Sequence, residues 1–208
     1  MNKAKRILLL VLPLLLGSCA NSYRVNLLPD PVPHTTKKID LNAGLFIDEA
    51  QTRQGHTQGG SCLTGMGQQW SIETGGALRI GAERTFRKIF TDVEILNSMG
   101  EFKNKPLTLL VTPKIVEFYI RNLTATLSLH CKLVNQAGEM VYEKTIISTG
   151  VAQGATTALF SVWWSGILGA IPTQRAISEA SHEAFNNAFV LLADDIVNKV
   201  DFSTYLKE

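Results

Sequence analysis

Thr124-Ala125-Thr126-Leu127-Ser128-Leu129-His130-Cys131-Lys132-Leu133-Val134 is the stretch on which the reading of the fold turns. Ala125, Leu127, Leu129, Cys131 and Leu133 fall on one side of an extended chain, and Thr124, Thr126, Ser128, His130 and Lys132 on the other. Strict alternation of this kind marks a strand with one covered and one wet face. Asn135-Gln136-Ala137-Gly138 has turn chemistry and leads into a second β-rich stretch, Glu139 to Thr149. The two stretches therefore read as a hairpin. Upstream, Leu107 to Ile120 is rich in β-formers but carries Pro113, which suits a sheet edge or a bulge.

The wet-and-covered pattern requires a layer on the covered face, and two segments can supply it. From Thr74 to Leu96, the residues Leu78, Ala82, Phe86, Ile89, Val93 and Leu96 recur at steps of three and four, the spacing of one apolar helix face. Arg79, Glu83, Arg84, Arg87 and Lys88 lie largely opposite, as on a solvated face that could also meet head groups or an acidic partner. Asn97 to Gly100 closes this helix with turn residues. From Thr173 to Val200, just after Pro172, Ile177, Ala180, Ala184, Ala188 and Leu191 form one row, widened by Phe185, Phe189, Leu192, Ile196 and Val200. Lys38 to Ile47 alternates and reads as a first strand. The order strand, helix, three strands, helix predicts an α+β fold: a small antiparallel sheet with two amphipathic helices on one face.

Residues 51–70, rich in Gly, Gln and Thr, read as a long loop. Their glycines match neither a phosphate loop nor a dinucleotide fingerprint. The amino-terminal end has a different character. Lys3, Lys5 and Arg6 precede an apolar run from Ile7 to Leu16, followed by Leu16-Gly17-Ser18-Cys19. Charge, a short apolar run and small residues form a secretory signal, and the run is too short, and too interrupted by Pro13, to span a bilayer. The four residues ending in Cys19 resemble the lipobox of bacterial lipoprotein precursors. That resemblance implies cleavage before Cys19, acylation of its thiol (palmitate among the chains) and membrane attachment. Ala20, rather than Asp, after the cysteine favours the outer membrane by the same resemblance. The organisation that follows is a signal peptide over 1–18, a lipidated tether over 19–38 carrying Pro29, Pro31 and Pro33, and a periplasmic α+β domain over 39–208.

Losing Lys3, Lys5 and Arg6 leaves a mature chain close to neutral, so a nucleic-acid partner has no electrostatic motive. Two cysteines remain besides Cys19. Export makes a Cys62–Cys131 disulfide plausible, while the apolar phase of Cys131 fits a buried free thiol, and the spacing alone does not choose. The uncharged segment Ala158 to Ile171 carries adjacent tryptophans. Phe160, Trp163, Trp164, Ile167 and Leu168 either meet a membrane or partner, as tryptophan does where one side is apolar and the other wet, or fold back into the core.

No catalytic constellation stands out. His34, His56, His130 and His182 are scattered over tether, loop, strand and helix, and no pair has metal-site spacing, His56 with Cys62 being weak. Asp194 and Asp195 are adjacent and so diverge on a helix. Ser161 and Ser165 lack the nucleophile-elbow pattern. The expectation is a protein without catalytic residues, metal or cofactor.

The lipobox, the helix from 74, the hairpin from Ala125 to Thr149, Ala176-Ile177-Ser178-Glu179-Ala180 and the closing Asp201-Phe202-Ser203-Thr204-Tyr205-Leu206 occur in the order seen in YajG-like outer-membrane lipoproteins, which the mature chain resembles over most of its length. Trp163-Trp164 departs from that pattern, where a short polar link is expected. The resemblance implies location and fold, not a reaction. The functional expectation is a non-enzymatic envelope lipoprotein that binds another envelope component, or else an accessory subunit of an outer-membrane transport, secretion or lipopolysaccharide-assembly complex.

Overall fold

The computed structural model describes residues 22–35, 37–59, 69–152 and 170–205, the stretch 170–173 by its backbone alone. Its elements are β1 (Ser22–Val25), β2 (Ile39–Phe46), α1 (Glu49–Thr52), β3 (His56–Gly59), β4 (Gln69–Ile72), α2 (Thr74–Ile89), β5 (Phe90–Leu96), α3 (Met99–Lys103), β6 (Leu109–Arg121), β7 (Thr124–Asn135), β8 (Met140–Val151) and α4 (Ala170–Lys199). The fold is α+β. Strands form a five-stranded sheet in the order β5-β2-β6-β7-β8 and a three-stranded sheet in the order β1-β4-β3.

The alternating stretch is β7. Its residues Ala125, Leu127, Leu129, Cys131 and Leu133 are fully buried, and those between them are only partly covered. The turn into β8 closes as expected: Gly138 N–H donates to the Asn135 carbonyl at 3.0 Å. Gly138 takes φ +82°, a conformation that a side chain would strain. α2 and α4 lie against each other and against the covered sheet face, α4 on β7 and β8 and α2 on β5 and β6. Phe185 and Phe189 of α4 reach the centre of this core, with Leu78 and Phe86 of α2. Leu191, on the rim of α4, stays about half exposed.

Three expectations need correction. The large sheet is mixed rather than antiparallel, because β2 runs parallel to both β5 and β6. The physical cause lies in the helix before β5. Thr74 to Leu96 is not one helix: the helix stops at Ile89, Phe90 turns extended, and Phe90–Leu96 becomes an edge strand. A helix running back along the sheet returns the chain in its original direction, which makes the next strand parallel. Phe90, Val93 and Leu96 imitate helical spacing because the pairing with β2 is irregular between Phe90 and Asp92, and because Val93 and Leu96 then pack on opposite faces of the sheet. Phe90 and Val93 join the main core, whereas Leu96 packs with Phe102, Leu107 and Leu110 in a second cluster. By strand alternation that cluster sits on the opposite sheet face, so the outer face is wet only over part of its length.

The second correction concerns residues 51–70. Within this stretch His56–Gly59 forms a strand antiparallel to the segment from Gln69; residues 60–68 lie outside the described residues. The third concerns the tether. Ser22–Val25 pairs in parallel with Gln69–Ile72, and Val25 and Leu27 are buried in the main core. The chain then crosses the two helices. Arg84 donates to the Pro29 carbonyl at 2.9 Å and Lys88 to the Pro31 carbonyl at 2.6 Å. Prolines that cannot donate backbone hydrogen bonds still offer carbonyls, and the basic face of α2 takes them up.

Pro113 lies in β6 opposite Cys131, beyond the last residue that β2 pairs. On that side β6 is an edge, as expected, and two glutamines cover it. Gln51 accepts from Ile115 N–H at 2.9 Å, and Gln58 both accepts from Ile120 N–H and donates to its carbonyl. The pairing shift at Val116 then moves Phe118 and Ile120 onto the core face in place of the odd-numbered residues before it.

Candidate functional site

Cys19, Cys62, Phe160, Trp163, Trp164, Ile167 and Leu168 lie outside the described residues. Among the described residues Cys131 is a free thiol with no exposed surface, directly opposite Pro113. Burial pushes its pKa well above the ordinary thiol range, so the reactive thiolate is suppressed.

The register nevertheless shows where the chain leaves and re-enters the described fold. Ser22 pairs with Gln69, and Gln69 with Gly59. Gln58 bonds the backbone of Ile120, Arg121 pairs with Thr124, and Thr124 with Val151. One row therefore crosses six strands at one end of both sheets. The chain enters this end at Ser22, leaves at Gly59 and re-enters at Gln69, and leaves again after Ala152. α4 runs antiparallel to β8, since Ser148 bonds the Ala184 carbonyl whereas Tyr142 bonds Asp195. Its first residue, Ala170, consequently also belongs to this end, several helical turns beyond the Gly150–Ala180 crossing.

At this end, the residues Gln58, Gly59, Trp70, Ile120, Asn122 and Ile177, with Arg121, line a cavity of about 110 Å³. Trp70 is 2 % exposed and stacks on Tyr23 with ring centroids 4.8 Å apart. Its buried Nε1–H has no acceptor among the described residues. The β6–β7 turn beside it holds Asn122 and Leu123 at φ +51° and +60°. For leucine that geometry costs roughly 1–2 kcal/mol, and burying the Leu123 side chain offsets it. Sequence reading passed over this turn because Asn122-Leu123 lacks the glycine that usually announces it; Asn122 alone was the signal.

The charged groups elsewhere tie elements together. Asp195, whose side chain is 9 % exposed, accepts from Tyr142 Oη at 2.9 Å, Lys144 Nζ at 2.8 Å and Lys199 Nζ at 2.5 Å. Burial alone would raise its pKa, but the hydrogen bonds from Lys144, Lys199 and Tyr142 outweigh that and hold it below the ordinary carboxylate value. Tyr142 is pushed up, first by burial and then by the adjacent carboxylate. Asp194 diverges from Asp195, as helical geometry requires, and takes His34 Nδ1 at 2.7 Å and Thr35 N–H at 3.3 Å. His182 Nε2 accepts from Leu28 N–H at 3.2 Å. His130 faces outward beside Thr145 and Glu143, and His56 packs edge-on against Phe118. Among the described residues, no three His, Cys, Asp or Glu side chains gather as a metal-binding group. These contacts fasten the amino-terminal strap, β8 and α4 to one another.

No family model matches the chain, and no curated protein matches it. Among solved structures, the hypothetical protein CT253 from Chlamydia trachomatis is similar at 9 % identity, with a TM-score of 0.41 over 77 % of this chain and 99 % of that one.

Proposed function

We propose that this chain is a lipid-anchored envelope lipoprotein, cut before Cys19, acylated there and held at the outer membrane with its domain facing the periplasm. In this reading it has no catalytic role and binds another envelope component. The observation that carries the proposal is the ordered export signal ending in Cys19, three positions before the first strand residue, Ser22. Several acyl chains on one residue suit stable attachment, since a single chain holds only marginally. No helix among the described residues is long and apolar enough to cross a membrane, so attachment in this reading rests on the acylated cysteine. The resemblance to YajG-like lipoproteins supports the same location.

Incorporation of labelled palmitate, with membrane fractionation of wild type and Cys19→Ser in a bacterium that has an outer membrane, tests this reading. Label and membrane recovery should both disappear in the variant. A wild type that carries no acyl label refutes the proposal.

A second reading, an accessory subunit of an envelope assembly, draws on one feature. The outer face of β6 to β8 carries Thr126, Ser128, Thr149 and the 70 % exposed Ile147, and β8 is an edge strand. Such a face and edge can accept a partner strand. In-cell crosslinking from positions flanking Trp163 separates the readings: one barrel or secretion component supports the assembly role, and diffuse or lipid crosslinks support the first.

A further inference from the structure

Resting on the lipid-anchor reading, we infer that the end of the domain marked by Ser22, Gln69, Gly59, Arg121 and Val151 is a docking surface for the phospholipid bilayer, so that the domain stands on its anchor with the strand axes pointing away from the membrane.

The reach of the chain is the first argument. Two residues, Ala20 and Asn21, separate Cys19 from Ser22, so three chain steps span at most ~11 Å when fully extended. A tether of twenty residues would leave the domain free to tumble above the lipid. Here β1 begins almost at the anchor, and the strap over residues 27–35 is bonded onto α2 and α4 rather than available as slack. By contrast, β7 alone runs twelve residues from Thr124 to Asn135, putting the opposite end of the sheet roughly 36 Å away.

Charge is the second argument, and it distinguishes the two ends. The near row is composed of neutral side chains except Arg121, which makes no ion pair among the described residues. The charges that the last helix brings to this end are engaged: Glu183 accepts from Val151 N–H at 2.8 Å, and Glu179 pairs with Arg175 at 2.7 Å. The far end carries more charge, Glu101, Lys103, Lys105, Glu139, Lys199 and Asp201, and although Lys105 pairs with Glu94 and Glu101 and Lys199 with Asp195, the set is denser than at the near end. Bringing such a set against a head-group layer costs desolvation that the near end avoids. Arg121, without an ion-pair partner among the described residues, can pair with a lipid phosphate as a planar fork.

The third argument is chain path. The excursion from Ala152 to Ala170, whose sequence carries no charge and two adjacent tryptophans, begins and ends at the same end as the anchor. The docking surface is defined by the described rim and does not depend on how that excursion is arranged.

The test uses the purified, lipidated full-length protein in vesicles of phosphatidylethanolamine and phosphatidylglycerol containing a lipid with a photoactivatable diazirine head group. Intact mass first establishes the acyl chains on the protein. After illumination, labelled positions are mapped by mass spectrometry. Residues 22–24, 121–124 and 151–152 should carry severalfold more label than residues 101–105, 136–139 and 199–201. Arg121→Ala should lower labelling at the near end while leaving the acyl mass unchanged. An acylated protein labelled evenly, or mainly at the far end, overturns the orientation and leaves the anchor standing. A protein without acyl mass overturns the anchor and this inference together.

Discussion

Gly150→Ala is the substitution that tests the layer packing most directly. Gly150 lies where β8 passes under α4, and a Cβ there would fall well inside van der Waals distance of the Ala180 carbonyl oxygen and the Ala184 nitrogen, with Glu183 Cβ at 2.8 Å. Two of these neighbours are helix backbone, which has no rotamer through which to yield. The strand and helix must therefore separate by something near an ångström, an overpacking that costs about 1–3 kcal/mol. Separation also stretches the buried bond from Ser148 Oγ to the Ala184 carbonyl, now 2.7 Å, worth about 1 kcal/mol. The expected loss is about 2–4 kcal/mol, or roughly 5–15 °C in Tm for a domain of this size. Urea unfolding followed by circular dichroism measures it. Gly76→Ala in α2 is the control of opposite sign: nothing lies within 4 Å of its would-be Cβ, so the better helix former should be neutral or stabilising by up to ~1 kcal/mol. A Gly150→Ala protein within about 0.5 kcal/mol of wild type, a surface-like effect, would refute the close crossing of β8 and α4.

Three further outcomes follow from the contacts. Asp195→Asn should cost about 1–3 kcal/mol at neutral pH, since charged hydrogen bonds from Lys144 and Tyr142 are lost. Because the folded carboxyl is held below its ordinary value, its contribution is present above that value and fades as pH falls through the folded pKa; the difference between variant and wild type in urea titrations should shrink on acidification, and a constant difference would count against the assignment. Cys131 should resist a thiol reagent in the native protein and react only on unfolding, and peptide mapping without reduction that recovers a Cys62–Cys131 link would contradict the free thiol. Lys88→Ala together with Arg84→Ala should speed hydrogen exchange at Leu28 and Asp30 while lowering stability by no more than about 1 kcal/mol, as suits part-exposed charges; unchanged exchange would show that the strap is held without them.

The amino-acid sequence by itself determined the hairpin and the two helices, because each buries one face against a single uniform layer. Alternation through Ala125, Leu127, Leu129, Cys131 and Leu133 has one solution, and so does the broad stripe of α4 centred on Phe185 and Phe189. It also determined the divergence of Asp194 and Asp195, a matter of helical geometry alone. Tertiary structure decided everything that depends on two sides being covered or on partners distant in the chain. β5 was hidden inside a helical period because Val93 and Leu96 serve different cores on opposite faces of the sheet. β1 and β3 are only four residues long, too short to display a period, and they exist because β4 pairs with both. The proline-bearing strap looked like slack until the cations of α2 met its carbonyls. What most affects the functional reading was likewise invisible in one dimension: Ser22, Gly59 and Val151 are far apart along the chain, and only strand register brings them to one end of the domain.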